Sequence, residues 1–399
     1  MVVLDMSSSK KLVIFVLSSF IFSLGSSIIT SVFPHFILKL NIEMKLFGLI
    51  GTVSSVLSTT LRVPFSAAMP SIGYFRIVCV NYLLISSSRI LYSLANLSEH
   101  SLILFSIGYV LSSIQFGILR SARSSVIAYL TAKERRGLSM GLISSITMIA
   151  VSIGPFVGAT IYESSRDFTL VFLSSLTVMI ISSLILIPLM KDDIKGLEIS
   201  EKDIVSQMRL APYVVKRERL GRAFTLFMID AFVWSLTFRY TSIYLVSHLK
   251  AKPTDLAQLN LVMTTVSVIG LISAGYVSDK LRRRVVFFVL SEICGIFHFL
   301  IILVAKDLSP IYLAYALMGF TISFWGPIAS AYVTEKAEEL SKDLIPITVG
   351  VWGFLTSLSR MPGGVIGGFI YDFNPYLLFE VAITLLTIVT LSIALFLKD

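Results

Sequence analysis

The sequence predicts an all-α membrane protein with twelve transmembrane helices in two pseudo-symmetric bundles of six. Three observations predict this fold: long apolar runs fill the chain, charged residues are scarce, and the second half repeats the plan of the first. Of the 399 residues, 55% are hydrophobic and 14% are charged, and the mean hydropathy is +0.87. Soluble proteins carry about 25% charged residues. We therefore expect no soluble catalytic domain.

Each apolar run is long enough to cross a bilayer, whose hydrocarbon core of about 30 Å needs about 20 helical residues. Helices satisfy every backbone polar group in lipid, and the sequence lacks the alternating pattern of a membrane barrel. The first run is too long for a signal peptide and leads into a second span, so we expect it to be retained. The runs are 11–34, 46–66, 77–97, 102–125, 139–162, 168–190, 223–247, 257–277, 285–305, 310–333, 345–371 and 376–397.

The basic residues predict the orientation. Most of the 33 Lys and Arg residues fall in the segments that lie on the same side as the N-terminus. Positive segments stay in the cytoplasm, so both termini are expected there, in a multi-pass protein of the cell membrane. The net charge of +9 is then a topology signal, and we expect no nucleic-acid partner.

The polar stretch 191–222 divides the chain. We expect it to be a cytoplasmic linker on the anionic inner leaflet, between bundles of residues 1–190 and 223–399. A regulatory segment is the alternative. Cys79 and Cys294 lie far apart in apolar runs, without metal-binding or disulfide spacing, and are predicted to be small core residues.

Two short segments recur at corresponding places in the halves. Residues 128–133 (AYLTAK) follow the fourth run, and residues 331–336 (AYVTEK) follow the tenth. Residues 158–163 (GATIYE) end the fifth run, and residues 367–372 (GGFIYD) end the eleventh. Together the two matches indicate an internal duplication. Two repeated bundles suit a transporter that exposes a central site to each side in turn.

The loop after the eighth run reads GYVSDKLRRR over residues 275–284. It resembles the signature GxxxDRxGRR of the major facilitator superfamily. Arg282 stands where the second glycine belongs, and in the corresponding loop of the first half only Gly73 fits, while Pro70 replaces the acid. The residues that fit the signature are Gly275, Asp279, Lys280, Arg283 and Arg284.

The resemblance implies a gating role for this loop. A helix N-terminus carries unpaired N–H groups and about half a positive charge, so the Asp279 carboxylate is expected to cap a helix of the other bundle and hold the cytoplasmic side shut. The alternative is that the loop is only a positive anchor, and we favour that role for its arginines.

The fifth run resembles the antiporter motif of drug exporters in the same superfamily, G(x8)G(x3)GP(x2)GG. Ala150 and Ala159 replace two of the glycines. Small residues four apart let helices approach closely, and a proline bends the helix, so ordinary tight packing is the alternative. The matching residues are Gly141, Gly154, Pro155 and Gly158. An arginine common in span 4 of proton antiporters in this superfamily has no counterpart, and spans 1 and 4 hold no acid.

Charges inside apolar runs are functional candidates, because a charge at the bilayer centre costs about 2.5–3.5 kcal/mol. The clear cases are Arg89, Asp230, Arg239, Glu292 and Arg360. Nine residues, or about 180° of helix, separate Asp230 from Arg239, so both can face one cavity only if span 7 is broken. We favour Asp230 as the proton carrier and expect Arg239 to reach the interface. Spans 3 and 9 are peripheral in the family, so Arg89 and Glu292 are expected to be structural.

Further side chains are predicted to line the cavity with Asp230. Arg360 lies on a stripe of small residues of span 11 and is expected to contact substrate or a counter-charge, a structural ion pair being the alternative. The remaining candidates are Trp234, Thr237, Thr241, Tyr244, Trp325, Tyr315, Ser27 and Thr30.

These patterns predict a secondary transporter of the major facilitator type. Our preferred hypothesis is proton-coupled efflux of a small amphipathic or weakly charged solute. The runner-up is uptake of a small organic anion, and a non-transporting receptor is a remote alternative. No nucleophile motif, phosphate loop or metal-ligand spacing indicates an enzyme, and we expect no cofactor and no metal. The expected partners are the solute, the proton and the bilayer, and we expect a monomer.

Overall fold

The computed structural model describes the backbone of residues 6–131, 136–191, 193, 216, 218–281, 283–341, 344–397 and 399. These residues form helices joined by short turns, and no strand occurs among them. The helices are α1 (Met6–Ser27), α2 (Phe33–Lys39), α3 (Met44–Ile72), α4 (Tyr74–Leu97), α5 (Ser101–Leu130), α6 (Arg136–Ser165), α7 (Phe168–Lys191), α8 (Glu218–Thr237), α9 (Thr241–Ser247), α10 (Pro253–Leu281), α11 (Arg284–Val304), α12 (Ser309–Glu338), α13 (Ile345–Phe373) and α14 (Pro375–Phe396).

Every predicted run coincides with a helix or a pair of helices. The first run is divided into α1 and α2, and the seventh into α8 and α9; each of the others is one helix. Within the described residues, ten helical segments are long and apolar enough to cross a membrane. The predicted all-α membrane fold is confirmed.

The chain divides into two compact units. Unit 1 contains Met1–Ile42, Val53–Ile199 and Lys252–Ala257, and unit 2 contains Glu43–Thr52, Ser200–Ala251 and Gln258–Asp399. Helices α3 and α10 are each divided between the units near their amino-terminal ends. Most of the predicted linker lies outside the described residues, and its cytoplasmic position stays a prediction.

Helix neighbours follow one pattern in both units. In unit 1, α1 packs against α6 and α7, and α4 packs against α5 and α7. In unit 2, α8 packs against α13 and α14, and α11 packs against α12 and α14. Since these helices are equivalent in a repeat of six spans, the shared pattern supports the duplication that the short motifs indicated.

A carboxylate cap is also repeated. In unit 1, Asp193 follows α7 and accepts hydrogen bonds of 2.9 Å from the backbone N–H groups of Phe75 and Arg76, at the start of α4. In unit 2, Asp399 follows α14 and accepts one of 2.8 Å from Val285, at the start of α11. Gly73 has φ +109° and lies against Asp193, where a Cβ would come within 2.2 Å of the carboxylate, so glycine is required.

Candidate functional site

Two predicted spans are interrupted at corresponding places. Between α1 and α2 the amide of Thr30 bonds to the carbonyl of Ser27 (3.0 Å), and between α8 and α9 the amide of Tyr240 bonds to that of Thr237 (2.9 Å). These three-residue hydrogen bonds replace the regular helical ones. Broken helices in equivalent positions are typical of substrate and ion sites in transporters. Span 7 is therefore broken between Asp230 and Arg239.

Asp230 lies in the middle of α8 and is 3% exposed. The indole of Trp234, one turn later, and the carboxyl group of Glu292 on α11 both interact with its carboxyl group. The Trp234 ring packs on α11, where a Cβ at Gly295 would lie 2.8 Å from it. Asp230 therefore faces span 9, which we had expected to be peripheral.

The sequence predicts a structural role for Glu292, because span 9 is peripheral in the family. Glu292 is 0% exposed, and neither of its carboxylate oxygens has a hydrogen-bond donor among the described residues. The sequence signal was present, because an acid stood alone in an apolar run. Hydropathy does not show which way that acid faces, and so the pairing with Asp230 was missed.

Arg360 supplies a positive charge that acts on Asp230. Its side chain is exposed. Helix α13 is packed less closely before this residue than after it. In the first part of the helix, a Cβ at Gly353 would meet nothing within 4 Å, whereas at Gly363 it would meet Ser235 at 1.7 Å and at Gly367 the carbonyl of Leu236 at 2.2 Å. The carboxyl-terminal part of α13 therefore packs closely against α8, whereas Gly353 has open space around it.

The rest of the predicted polar-aromatic stripe is buried inside unit 2. Thr237 and Thr241 donate to carbonyl groups of their own span, those of Trp234 and Thr237. Tyr244 stacks on His248 with ring centroids 4.5 Å apart and packs on Phe379 of α14. Their proposed contact with substrate stays a prediction.

The other predicted lining residues differ from one another in burial and in contacts. Trp325 packs on Phe227 and Phe288 at 5.3 and 5.1 Å between ring centroids, and Tyr315 is buried beside His298. Ser27 is buried and donates to the carbonyls of Leu24 and Ala150, and Thr30 is exposed.

The signature loop is described in part. The surroundings of Gly275, Asp279 and Pro70 lie outside the described residues, so the gating role of Asp279 stays a prediction. Lys280 and Arg283 are exposed. Arg284 instead binds Glu335 at 2.7 Å and donates to the hydroxyl of Ser278 at 2.6 Å. This arginine has a specific partner beyond any anchoring role.

The small face of span 5 packs against α1. A Cβ at Gly154 would lie 2.0 Å from the hydroxyl oxygen of Ser27, and one at Gly158 would lie 1.8 Å from the carbonyl of Ile28. Ser31 donates to the carbonyl of Pro155 at 2.7 Å. Gly141 lies outside the residues whose surroundings are described. The observed packing agrees with the tight-packing alternative, and an antiporter role for this motif stays a prediction.

The acids that end the repeated segments 158–163 and 367–372 cap two helices. In unit 1, Glu163 accepts hydrogen bonds from the backbone N–H (3.1 Å) and the hydroxyl of Thr254, at the start of α10. In unit 2, Asp372 accepts bonds from the amides of Met44 (3.0 Å) and Lys45 (2.8 Å), at the start of α3. α3 and α10 are the two helices divided between the units.

Comparison with known proteins decides the family. The model of the Major Facilitator Superfamily matches residues 15–361, which is most of the chain. The chain belongs to the Major Facilitator Superfamily. It is a multi-pass membrane protein whose family and fold are those of secondary transporters rather than of enzymes.

Solved structures of this superfamily share the fold at low sequence identity. The nucleoside transporter NupG is 11% identical, with a TM-score of 0.75, over 98% of this chain and 99% of that one. A POT family transporter in complex with 5-aminolevulinic acid is 13% identical, with a TM-score of 0.74, over 96% and 95%. The human organic anion transporter MFSD10 (TETRAN) is 14% identical, with a TM-score of 0.62, over 98% and 100%. A comparison with curated protein sequences gives no match.

Proposed function

We propose that this superfamily member exports a small amphipathic or weakly charged solute from the cell in exchange for protons. The observation that carries the proposal is Asp230, a carboxyl group buried in an interrupted span and adjoining a second acid and the charge of Arg360. The proposal includes the predicted arrangement, with bundles at 1–190 and 223–399 and both termini in the cytoplasm.

The proton chemistry follows from burial. An ionised carboxylate inside a membrane span is costly, and a proton removes that cost. A carboxyl group that is dry in one state of the transporter and wet in another therefore binds a proton in the first and releases it in the second. Asp230 meets the first condition, and rearrangement around the nearby break between α8 and α9 would supply the second.

Arg360 is the proposed contact for the solute. Its side chain is exposed, about two turns along α13 from Gly353, where an added Cβ would meet nothing within 4 Å, and its charge acts on Asp230. Solute binding near this guanidinium would change the electrostatic environment of the acid. That link between solute and proton is what coupled transport needs.

The direction of transport is inferred from span 5. The resemblance of span 5 to the antiporter motif supports efflux. The exposed Arg360 favours a second candidate, uptake of a small organic anion together with a proton. The two candidates differ in how the proton affects solute binding. In antiport the proton competes with the solute, whereas in symport it assists binding of the solute.

Counterflow in proteoliposomes tests the proposal. Liposomes containing the full chain are loaded with uridine, alanyl-alanine, para-aminohippurate or ethidium, and uptake of the labelled compound is followed with and without a pH gradient. We expect counterflow of at least one compound, and accumulation when the gradient is imposed. Counterflow without any effect of the gradient would contradict proton coupling.

A further inference from the structure

The buried carboxyl groups of unit 2 form a pair with too few hydrogen-bond donors. Oδ1 of Asp230 and both carboxylate oxygens of Glu292 are buried without a donor among the described residues. The two side chains are 3% and 0% exposed and come from different helices, α8 and α11. The Trp234 ring, one turn after Asp230, packs against Gly295, about one turn after Glu292, so the faces that carry the two acids meet, and their carboxyl groups interact.

Two ionised carboxylates do not fit this geometry. Each accepts hydrogen bonds but donates none, so the pair would bury unsatisfied oxygens as well as two like charges. A single proton satisfies two of the three oxygens that lack a donor and removes one of the two like charges. One group becomes a carboxylic acid whose O–H donates to the other, and the pair carries one negative charge instead of two.

The helices that pack on α8 and α11 carry further titratable and apolar side chains. On α13, Arg360 is the cation that acts on Asp230. On α11, His298 uses Nδ1 to bond the carbonyl of Ala314, at 2.8 Å, on α12. α12 also contributes the buried phenol of Tyr315, and α14 contributes the apolar side chain of Leu386. With one proton on the pair and a neutral His298, the cluster has no net charge.

We infer that Asp230 and Glu292 together form one proton-binding site, in which a single proton lies between the two carboxyl groups. Glu292 is thus a proton-binding residue of the transport cycle rather than a structural one. This inference rests on the proposed proton coupling and makes it more specific. Loss of the proton leaves two negative charges, which draw Arg360 toward the pair; its return releases Arg360 for a solute.

Infrared spectroscopy of the purified full chain tests the shared proton without a substrate, because the proton itself is the probe. The wild-type protein should show the C=O stretch of a buried protonated carboxyl group at neutral pH. Asp230→Asn and Glu292→Gln should each remove that band, because the new amide N–H replaces the acidic proton as donor. Glu380→Gln, which changes an exposed acid of α14, should leave the band intact.

Wild-type protein with no such band would overturn the inference whether or not the variants fold. A band that survives in folded Glu292→Gln would overturn it as well. Glu292→Asp provides a second variant for the case in which the amide disturbs packing. It retains both carboxyl groups, so the band should persist at a shifted position, and a band with unchanged position would contradict the pairing.

Transport separates this inference from the proposed function. If wild-type liposomes respond to a pH gradient, Glu292→Gln should abolish accumulation but keep counterflow of the same compound. Full accumulation by this variant would remove Glu292 from coupling while leaving proton coupling itself in place. If the wild type ignores the gradient although the infrared band behaves as expected, proton coupling fails and the shared proton remains.

Discussion

The carboxylate of Asp372 lies across the amino-terminal end of α3, where Oδ2 accepts a 2.8 Å hydrogen bond from the backbone N–H of Lys45. Glu163 makes the equivalent contact with Thr254 at the start of α10. The two acids end segments that are repeated in the sequence, and each caps a helix far away in the chain. The shared contact supports the internal duplication that the two repeated segments indicate.

Removal of the Asp372 cap should favour separation of α3 from α13. Loss of a carboxylate cap costs about 1 kcal/mol, or about a five-fold change in an equilibrium. Thr52 donates to the carbonyl of Met361 in the same contact, at 2.8 Å. Maleimide should therefore label Thr52→Cys several-fold faster when Asp372→Asn is also present, with Cys79 and Cys294 replaced by serine.

Asp307→Asn is the matched control for that experiment, because Asp307 caps α12, which follows it immediately in the sequence, through Ser309. This change should leave labelling at position 52 unaltered. Equal acceleration by both variants would mean that the Asp372 contact has no special role in holding α3.

The ion pair between Arg284 and Glu335 can be tested against the alternative that the arginines of this loop are only positive anchors. Arg284→Gln and Arg283→Gln each remove one positive charge from the same loop, but only Arg284 bonds Glu335 and Ser278. Glu335 is half exposed, so the loss should be about 1 kcal/mol or less. Thermal unfolding in detergent should show a lower Tm for Arg284→Gln alone. Equal Tm values for the two variants would mean that Arg284, like Arg283, acts only as a positive anchor.

The face of span 5 should be intolerant of larger side chains. At Gly158 an added Cβ would lie 1.8 Å from the backbone carbonyl of Ile28, and overpacking of this kind costs about 1–3 kcal/mol or more. Gly353 in α13 is the control, since an added Cβ meets nothing within 4 Å there. Gly158→Ala should reduce the yield of folded protein, measured by size-exclusion chromatography, while Gly353→Ala should not. The reverse order would refute close packing of α6 on α1.

The predicted orientation can be tested by labelling in intact cells. In a background without Cys79 and Cys294, Lys216→Cys in the linker should react with a membrane-impermeant maleimide only after permeabilisation. Lys306→Cys, between α11 and α12, should react in intact cells. Labelling of position 216 from outside would reverse the proposed topology.

The sequence was sufficient to predict the helices because hydropathy reports burial in lipid directly. The sequence predicts a break in span 7 only as a condition for Asp230 and Arg239 to share a side. Residues 238–240 contain no Pro or Gly, so no local signal marks the position of the break. An apolar run shows that a residue is inside the membrane, not which neighbour it faces.

Long-range pairs were the part that sequence reasoning missed. Glu292 meets Asp230 because α11 presents that side to α8, and Arg284 meets Glu335 across 51 positions of sequence. The caps of Asp193 and Asp399 were missed for a similar reason, because an acid in a polar segment does not reveal which helix end it reaches. Rotation and packing of helices determine these contacts, and hydropathy determines neither.

The central claim is that protonation of the buried acid pair couples solute movement to the proton gradient. The most direct measurement is gradient-driven accumulation by Asp230→Asn in proteoliposomes, with folded protein quantified in the same preparation and Glu380→Gln as the control. We expect Asp230→Asn to fold and to support counterflow but not to concentrate the solute, whereas Glu380→Gln should resemble the wild type. A well-folded Asp230→Asn protein that concentrates solute as the wild type does would contradict the central claim.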